Sequence, residues 1–341
     1  MKTLFINVLK KCNLDCKQCY LSVDSRRSDQ VLSCETFRDF ISNPAFSDKN
    51  YRVVWQGGEL SILPSSHLWS LSDHLPSGVK QSVVTNFLAY SSGLSNFVST
   101  HCDRTIETTF AYHDKVTKSG SSERYRSCFL KSAKRYYDDG LAININVELN
   151  AGTIESGVEK LIRFFDELPP CSIDFDISLS PIQNRELVQT NDSYLPRSVT
   201  FESHWEFLKK LYLVLSGRSS VNKRYPLFDS IFSSKTTQFS ANSYGLFFTL
   251  NPDGQVTTNP LYSDQANLVI GHSADRSDFR ESNRYKSLLR EEYNRFSQCA
   301  GCSYFKSCGT GASYVPVFDG SGECVGGQNF RKELLDGALS A

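Results

Sequence analysis

Short apolar runs alternate with longer, periodic apolar segments over roughly the first 180 residues. Six of the short runs have the length and residue types of strands: TLFINVL, YRVVW, SVVTN, TIETTF, AININVEL and SIDFDISL. The segments between them have helical spacing, as in SCETFRDFIS, SHLWSLSDHL, YRSCFLKSAKRYYDD and IESGVEKLIRFFDEL. Repeated strand–helix units form parallel sheets with right-handed crossovers. The pattern therefore predicts an α/β fold, a partial (β/α)6 barrel of the TIM type.

Polar side chains occupy one face of the last three predicted strands. The alternating polar positions are Thr105, Glu107 and Thr109, then Asn144, Asn146, Glu148 and Asn150, then Asp174, Asp176 and Ser178. A polar face inside a barrel indicates a cavity for a polar ligand, and an antiparallel sheet with one face in water is the alternative. Glu107, Asp174 and Asp176 are candidate acid–base residues by position. The alternative is that these carboxylates only contact solvent or a bound ligand.

The pattern changes after the sixth predicted strand. A long amphipathic helix over TFESHWEFLKKLYLVLSG is followed by SYGLFFTLNPDGQVTTNP, which is typical of a hairpin turning at Asp253-Gly254. A cysteine-rich tail runs from Cys299 to Cys324. We therefore predict a barrel over residues 1–190, a linking helical region over 191–235 and a cysteine-rich domain over 236–341.

Composition excludes several classes of protein. Lys and Arg together number 37, as do Asp and Glu, so no overall basic field favours nucleic acid or an anionic membrane. No apolar window has the length of a membrane span, and the first residues lack the features of a signal peptide, so we expect a cytoplasmic protein. The 11 cysteines cluster at the two ends, which favours metal thiolates over a disulfide framework.

Three cysteines lie within CNLDCKQCY, directly after the first predicted strand: Cys12, Cys16 and Cys19. Thiolates at this spacing hold iron–sulfur clusters, and three of them leave one iron of a four-iron cluster open. Structural zinc takes four ligands, and Cys34 is the nearest further candidate. Zinc is thus the main alternative to an iron–sulfur cluster.

The CxxxCxxC spacing resembles the signature of the radical S-adenosylmethionine (SAM) superfamily. The resemblance implies that the open iron of a [4Fe-4S] cluster binds SAM. It also implies that the reduced cluster cleaves SAM to a 5'-deoxyadenosyl radical, which abstracts hydrogen from a substrate. A flavodoxin- or ferredoxin-type protein would then supply the electron.

Other motifs agree with this resemblance. Gly57, Gly58 and Glu59 in WQGGEL are similar to the family's GGE motif, which receives the amino group of SAM. VVTNF is similar to the family's TNG, so Asn86 is expected to face the cofactor, although Phe87 replaces the glycine.

The resemblance also implies roles for the remaining residues around the cofactor. The resemblance implies that Thr109 contacts the ribose and that Arg124 approaches the SAM carboxylate. The residue before the third cysteine is usually an aromatic that packs near adenine. Gln18 stands there in this chain, and Tyr20 is the nearby aromatic candidate.

Four tail cysteines form a second ligand set: Cys299, Cys302, Cys308 and Cys324. They resemble the ligands of the second auxiliary cluster in SPASM domains, which occur in peptide- and protein-modifying radical SAM enzymes such as the anaerobic sulfatase-maturating enzymes. The resemblance implies one auxiliary [4Fe-4S] cluster, with zinc as the alternative. Ligands of a first auxiliary cluster are missing, because Asn259 and Ala312 stand at its cysteine positions. Pro260 replaces the base aspartate of the sulfatase-maturating enzymes, which argues against formylglycine formation.

The sequence therefore predicts a radical SAM oxidoreductase with a SPASM-like tail. We expect hydrogen abstraction from a peptide followed by an oxidative modification such as a crosslink. No leader-binding segment precedes the first strand, which counts against a peptide. A dehydrogenase or epimerase acting on a sugar or amino acid is the alternative enzyme. A non-enzymatic iron–sulfur electron carrier is the third class, and it needs neither an open iron nor a polar barrel.

Overall fold

The computed structural model describes residues 1–17, 19–176, 199–218, 223–232, 243–308 and 316–337. Gln18 and the end of the predicted sixth strand lie outside the described residues, as does the side chain of Asp176.

Ten strands and twelve α-helices occur in the described residues. The strands are β1 (Lys2–Leu9), β2 (Tyr51–Gly57), β3 (Gln81–Thr85), β4 (Thr105–Phe110), β5 (Ala142–Glu148), β6 (Cys171–Asp176), β7 (Lys223–Arg224), β8 (Phe247–Leu250), β9 (Gln255–Thr257) and β10 (Gly271–His272). The helices are α1 (Cys34–Ile41), α2 (Ser65–Ser72), α3 (Ser92–His101), α4 (Ser122–Asp138), α5 (Ala151–Ser156), α6 (Val158–Glu167), α7 (Phe201–Ser216), α8 (Pro226–Phe232), α9 (Ser243–Leu246), α10 (Asn283–Cys299), α11 (Phe305–Cys308) and α12 (Gln328–Leu335). The chain is thus a mixed α/β protein.

The chain divides into two compact units by its internal packing. Unit 1 contains residues 1–109, 115–144 and 243–290, and unit 2 contains residues 110–114, 145–242 and 291–341. No helix in the described parts of either unit is both long enough and apolar enough to cross a membrane.

Unit 1 is built on a mostly parallel sheet with the strand order β10-β9-β8-β1-β2-β3-β4. Strand β1 pairs parallel with β2, as in Ile6↔Trp55, and β2 pairs parallel with β3. Strand β3 in turn pairs parallel with β4 through Val84↔Glu107. The parallel α/β sheet that the sequence predicts is confirmed. Because these strands are parallel, their carboxyl ends meet at one edge, where ligand sites of α/β folds form.

The predicted hairpin at Asp253-Gly254 is confirmed. Strands β8 and β9 are antiparallel, and Gly254 has φ 84°, a conformation that favours glycine. Strand β8 also pairs parallel with β1 through Thr3↔Phe247, so the hairpin extends the sheet of unit 1. The sequence pattern does not indicate this pairing. The domain boundaries near residues 190 and 235 stay a prediction.

The core of unit 1 lies between the sheet and its helices. Phe37 of α1 packs on Trp55 of β2 with ring centroids 5.3 Å apart, and Phe46 meets Phe248 of β8 at 5.1 Å. All four side chains are almost fully buried. Each such burial contributes about 1.5–3 kcal/mol, so these contacts stabilise the core of unit 1.

Unit 2 contains the end of β5, with β6 and β7. Strand β5 alternates as predicted, with Ile143, Ile145 and Val147 buried. It ends at Glu148, and Asn150 caps α5 by accepting a hydrogen bond from Thr153 N at 2.9 Å instead of continuing the strand.

The predicted helical segment IESGVEKLIRFFDEL is divided between two helices, α5 and α6. Gly157 has φ 81°, which ends α5 and starts α6 as a separate helix. Helix α6 buries Leu161, Phe164 and Phe165 on one face.

Candidate functional site

The candidate cofactor site lies in unit 1, at the carboxyl ends of β1, β2 and β3. The loop after β1 carries Cys12, Cys16 and Cys19, and neighbouring segments fix its backbone. Cys12 N donates to Arg26 O at 3.2 Å, and Asp15 N donates to Val116 O at 2.9 Å. The Arg26 guanidinium also pairs with the Asp15 carboxylate at 2.7 Å. The three cysteines therefore lie on a loop held from two directions.

Gly57 and Gly58 bring β2 against the start of this loop. Gly58 N donates to Leu9 O at 2.8 Å, and Glu59 N donates to Lys11 O at 3.0 Å. A Cβ at Gly58 would lie 2.0 Å from Lys11 O, and one at Gly57 would lie 2.1 Å from Leu9 O. Only glycine permits this approach of two backbones, so the GG pair positions the cysteine loop.

Glu59 is almost fully buried and organises the end of β3. Its Oε1 accepts hydrogen bonds from Ser61 N at 2.8 Å and Thr85 Oγ1 at 2.6 Å, and its Oε2 accepts one from Asn86 N at 2.7 Å. A carboxylate has about four acceptor positions. Glu59 therefore ties β2 to β3 and keeps about one position for a cationic group such as an amine.

Asn86 connects β3 to the cysteine loop. Its Nδ2 donates to Asn13 Oδ1 at 2.8 Å and lies 3.8 Å from Cys12 Sγ, and Tyr125 donates its hydroxyl to Asn86 O at 3.2 Å. The GGE and TNF motifs are thus both in contact with the loop that carries the cysteines.

Phe87 keeps the backbone conformation that glycine would adopt. Its φ is 58°, in the left-handed region, where a bulky side chain is strained by about 1–3 kcal/mol. Its fully buried ring packs on Phe129 and Tyr136, with centroids 5.2 and 5.0 Å away. Aromatic packing therefore offsets the strain. Phe87 thus forms the same turn that the glycine of TNG would form.

Thr109 lies near the end of β4, in contact with Lys115, a residue that no sequence motif marks. Lys115 Nζ donates to Thr109 O at 2.5 Å and also to its hydroxyl. Lys115 is buried, and its charge slightly opposes the burial that raises the pKa of Cys12. Arg124 lies exposed in the first turn of α4, where its guanidinium forms no hydrogen bond or ion pair with any described residue.

Burial dominates the electrostatics of the cysteine loop. It raises the pKa of the Cys12 thiol, as does Glu59 to a smaller extent, whereas Leu14 N–H, Lys118 and Lys115 lower it. Tyr20 lies half-buried beside this thiol, and burial of its hydroxyl followed by Cys19 and Cys12 raises its pKa. Two of the three cysteines thus lie close to Tyr20.

Asp264, which no sequence motif marks either, holds both ends of the cysteine loop. Its Oδ1 pairs with Lys10 Nζ at 2.8 Å, and its Oδ2 accepts a hydrogen bond from Ser22 N at 2.7 Å. Burial raises the pKa of Asp264, but these hydrogen bonds outweigh it and hold the pKa below its usual value. Lys10 and Asp264 are 254 residues apart, so no local pattern reveals the pair.

The acid–base candidates lie in different units. In unit 1, burial raises the pKa of Glu107, and Arg52 and Ser82 lower it. In unit 2, burial raises the pKa of Asp174 to about 6 against two backbone hydrogen bonds that lower it. Both carboxyl groups therefore lie in surroundings that favour the neutral form.

The tail cysteines form a second cluster, within unit 2. Cys299 ends α10, Cys302 N donates to Cys299 O at 2.9 Å, and α11 ends at Cys308. A Cβ at Gly326 would lie 2.2 Å from Cys308 Sγ and 4.0 Å from Cys324 Sγ, so both sulfurs flank this glycine. Cys299 is also within electrostatic range of Cys302 and Cys308.

Both cysteine sets fit a metal centre in residue type, because thiolates are ligands for iron–sulfur clusters and zinc. Among the described residues, no three His, Cys, Asp or Glu side chains already surround a common metal position. Burial raises the pKa of Cys12 and raises that of Cys324 to about 11. A metal ion bound by these thiolates would have to offset this rise.

Comparison of the sequence with models of protein families and with curated proteins finds no match. Solved structures do match. The chain is similar to the anaerobic sulfatase-maturating enzyme anSMEcpe with bound AdoMet, with TM-score 0.74 and 16% identity over 99% of this chain and 97% of that chain. The complex of that enzyme with AdoMet and the Cp18Cys peptide gives TM-score 0.73 and 16% identity, over 99% and 96%.

SuiB of Streptococcus suis, bound to its precursor peptide SuiA, is a further match. Its TM-score is 0.58 at 13% identity, over 94% of this chain and 75% of that chain. These matches show that the chain has the fold of radical SAM enzymes. The resemblance that the motifs indicate is thereby confirmed at the level of the fold.

Proposed function

We propose that the chain is a radical SAM enzyme that abstracts a hydrogen atom from a peptide and so begins an oxidative modification such as a side-chain crosslink. One observation carries the proposal. Three sequence motifs meet at one sheet edge, where Gly58 and Glu59 are hydrogen-bonded to the cysteine loop and Asn86 contacts Cys12.

Each group around the cysteine loop then has a role. A [4Fe-4S] cluster on Cys12, Cys16 and Cys19 would bind SAM and supply the radical chemistry when a flavodoxin- or ferredoxin-type protein reduces it. Glu59 has about one acceptor position left for the SAM amine. Thr109 and Arg124 are proposed for the ribose and the carboxylate, and Tyr20, beside Cys12 and Cys19, is proposed to border the adenine.

A peptide substrate is supported by the structural neighbours, because anSMEcpe and SuiB have both been solved with peptides bound. The tail cysteines support an auxiliary cluster that accepts an electron from the substrate radical or contacts the substrate. Glu107, Asp174 and Asp176 are the candidate proton acceptors.

Metal content tests the two cysteine sets. Anaerobically reconstituted protein should hold about eight irons per chain, and replacing Cys12, Cys16 and Cys19 by Ala should remove about half. Cys34→Ala, which removes a nearby isolated thiol on α1, is the matched control and should retain them all. Stoichiometric zinc with only four irons would contradict the auxiliary cluster.

Deuterium transfer tests the substrate class. Deuterated peptides encoded by neighbouring short genes, and a panel of deuterated sugars and amino acids, are incubated with SAM and reductant under anaerobic conditions. We expect deuterium in 5'-deoxyadenosine from a peptide. If deuterium is transferred from a small molecule and from no peptide, the peptide hypothesis is wrong, and the dehydrogenase or epimerase alternative takes its place.

A further inference from the structure

Arg331 of α12 is a buried cation that pairs with no carboxylate in the described part of the chain. Its side chain is 1% exposed, and its Nε donates to Gly326 O at 2.8 Å. Its buried Nη2 has no hydrogen-bond partner, and its guanidinium forms no ion pair, among the residues that the structure describes. An arginine is rarely buried unless its charge is compensated. The position of Arg331 therefore requires a source of negative charge.

Three tail cysteines act electrostatically on this guanidinium. Gly326, which accepts the hydrogen bond from Arg331, also lies against Cys308 Sγ. Burial lowers the pKa of Arg331, whereas Cys308, Cys324 and Cys302 raise it, in that order. The guanidinium thus lies within electrostatic range of three of the four tail cysteines.

The surrounding residues hold Arg331 in this position. A Cβ at Gly327 would lie 2.6 Å from the Trp205 indole, so this ring covers the start of α12. Trp205 Nε1 donates to Cys324 O at 3.1 Å, and its ring stacks on Phe330 with centroids 5.0 Å apart. The segment from Cys324 to Arg331 is therefore packed as one piece against α7.

We propose that Arg331 is the buried counter-charge of the tail metal centre and that its Nη2 donates to a cysteine thiolate of that centre. This inference rests on the proposed function, because it requires metal at the four tail cysteines. Four thiolates around an iron–sulfur core leave a net negative charge, which a buried site disfavours. A fixed cation favours the reduced form, and hydrogen bonds to the sulfurs act in the same direction. Arg331 therefore raises the reduction potential of the centre.

The test uses the full chain, reconstituted with iron and sulfide, in a parent that carries Cys12→Ala, Cys16→Ala and Cys19→Ala. Only the tail centre then contributes to an EPR-monitored redox titration. In this parent, Arg331→Gln is compared with Arg331→Lys, which keeps the charge. The control is Lys332→Gln, which removes an exposed charge at the next position of α12.

We expect Arg331→Gln to retain its iron and to shift the ratio of oxidised to reduced centre at least tenfold, a fall in potential of about 59 mV for one electron. Arg331→Lys should shift the ratio less, and Lys332→Gln should not change it. A potential equal to that of the parent in Arg331→Gln overturns the inference. If Arg331→Gln loses its iron, the inference requires that Arg331→Lys, which keeps the charge, retains its iron. Loss of iron from both Arg331 variants, while Lys332→Gln keeps its iron, also overturns the inference.

If the tail cysteines of the parent bind zinc instead of iron, the proposed iron–sulfur centre and the proposed role of Arg331 can be tested separately. The auxiliary iron–sulfur centre would then be wrong, and the role of Arg331 would be measured by zinc affinity. Arg331→Gln should weaken zinc binding at least tenfold, and unchanged affinity would exclude the counter-charge role.

Discussion

Glu59→Gln is the substitution that most directly probes how the cofactor site is assembled. The two side chains have nearly the same shape, but glutamine has one acceptor oxygen and one amide nitrogen. The oxygen can still accept from Ser61 N and Thr85 Oγ1. The amide nitrogen then faces Asn86 N–H, which now donates to Oε2 at 2.7 Å. A donor would therefore meet a donor in a buried site.

The size of the effect follows from these contacts. A hydrogen bond to a charged acceptor contributes about 1.5–3 kcal/mol, and a buried N–H left without a partner costs a similar amount. We expect a net loss of about 2–4 kcal/mol in the free energy of unfolding. At roughly 2 °C per kcal/mol for a chain of this size, Tm should fall by about 4–8 °C. Release of Asn86 should also weaken SAM binding by about tenfold.

Thermal unfolding and equilibrium binding of SAM measure both effects on the reconstituted protein. Glu281→Gln is the control, since Glu281 is exposed in unit 1 and forms no side-chain hydrogen bond with a described residue. Its Tm and SAM affinity should match the wild type. If Glu59→Gln also matches the wild type in both measurements, Glu59 does not hold β3 and Asn86 in place.

Three further substitutions test other parts of the account. Gly58→Ala, whose Cβ would lie 2.0 Å from Lys11 O, should displace the cysteine loop and remove about half of the iron, whereas Gly245→Ala, with open space around its Cβ, should remove none. Asp264→Ala should release Lys10 and Ser22 and lower the iron of the same cluster, and unchanged iron with a wild-type EPR signal would contradict the clamp. Burial raises the pKa of Asp174 from 3.8 to about 6. Because the folded chain then keeps a proton that the unfolded chain loses, stability should fall by roughly 2–3 kcal/mol as pH rises between about 4 and 6. In urea titrations Asp174→Asn should therefore be more stable than wild type near pH 7.5 and similar near pH 4, and equal stability at both pH values would exclude this linkage.

Local patterns in the sequence predict much of the sheet. Alternation along β5 marks Ile143 and Ile145 as buried, and Asp253-Gly254 marks the turn of the hairpin, because both features depend on neighbouring residues. The break between α5 and α6 also has a local signal, since Gly157 interrupts the helical run. The same is true of the cap at Asn150, which is followed by Thr153.

Contacts between distant segments have no such signal. Lys10 meets Asp264 only because β8 pairs with β1 and brings the segment after β9 beside the cysteine loop. The packing of α12 brings Arg331 to Gly326 O and within electrostatic range of the tail cysteines, which cysteine spacing does not encode. The sequence thus identifies the candidate ligand and cofactor residues. The supporting side chains, such as Asp264 and Arg331, become visible only in the folded structure.

The most direct test of the central claim is the cleavage of SAM. Anaerobically reconstituted wild-type protein, reduced with dithionite and given SAM, should form 5'-deoxyadenosine. The variant with Cys12, Cys16 and Cys19 replaced by Ala should form none, while Cys34→Ala should form as much as the wild type. A wild-type protein that holds its full iron and forms no 5'-deoxyadenosine, or a triple variant that still forms it, would contradict the account.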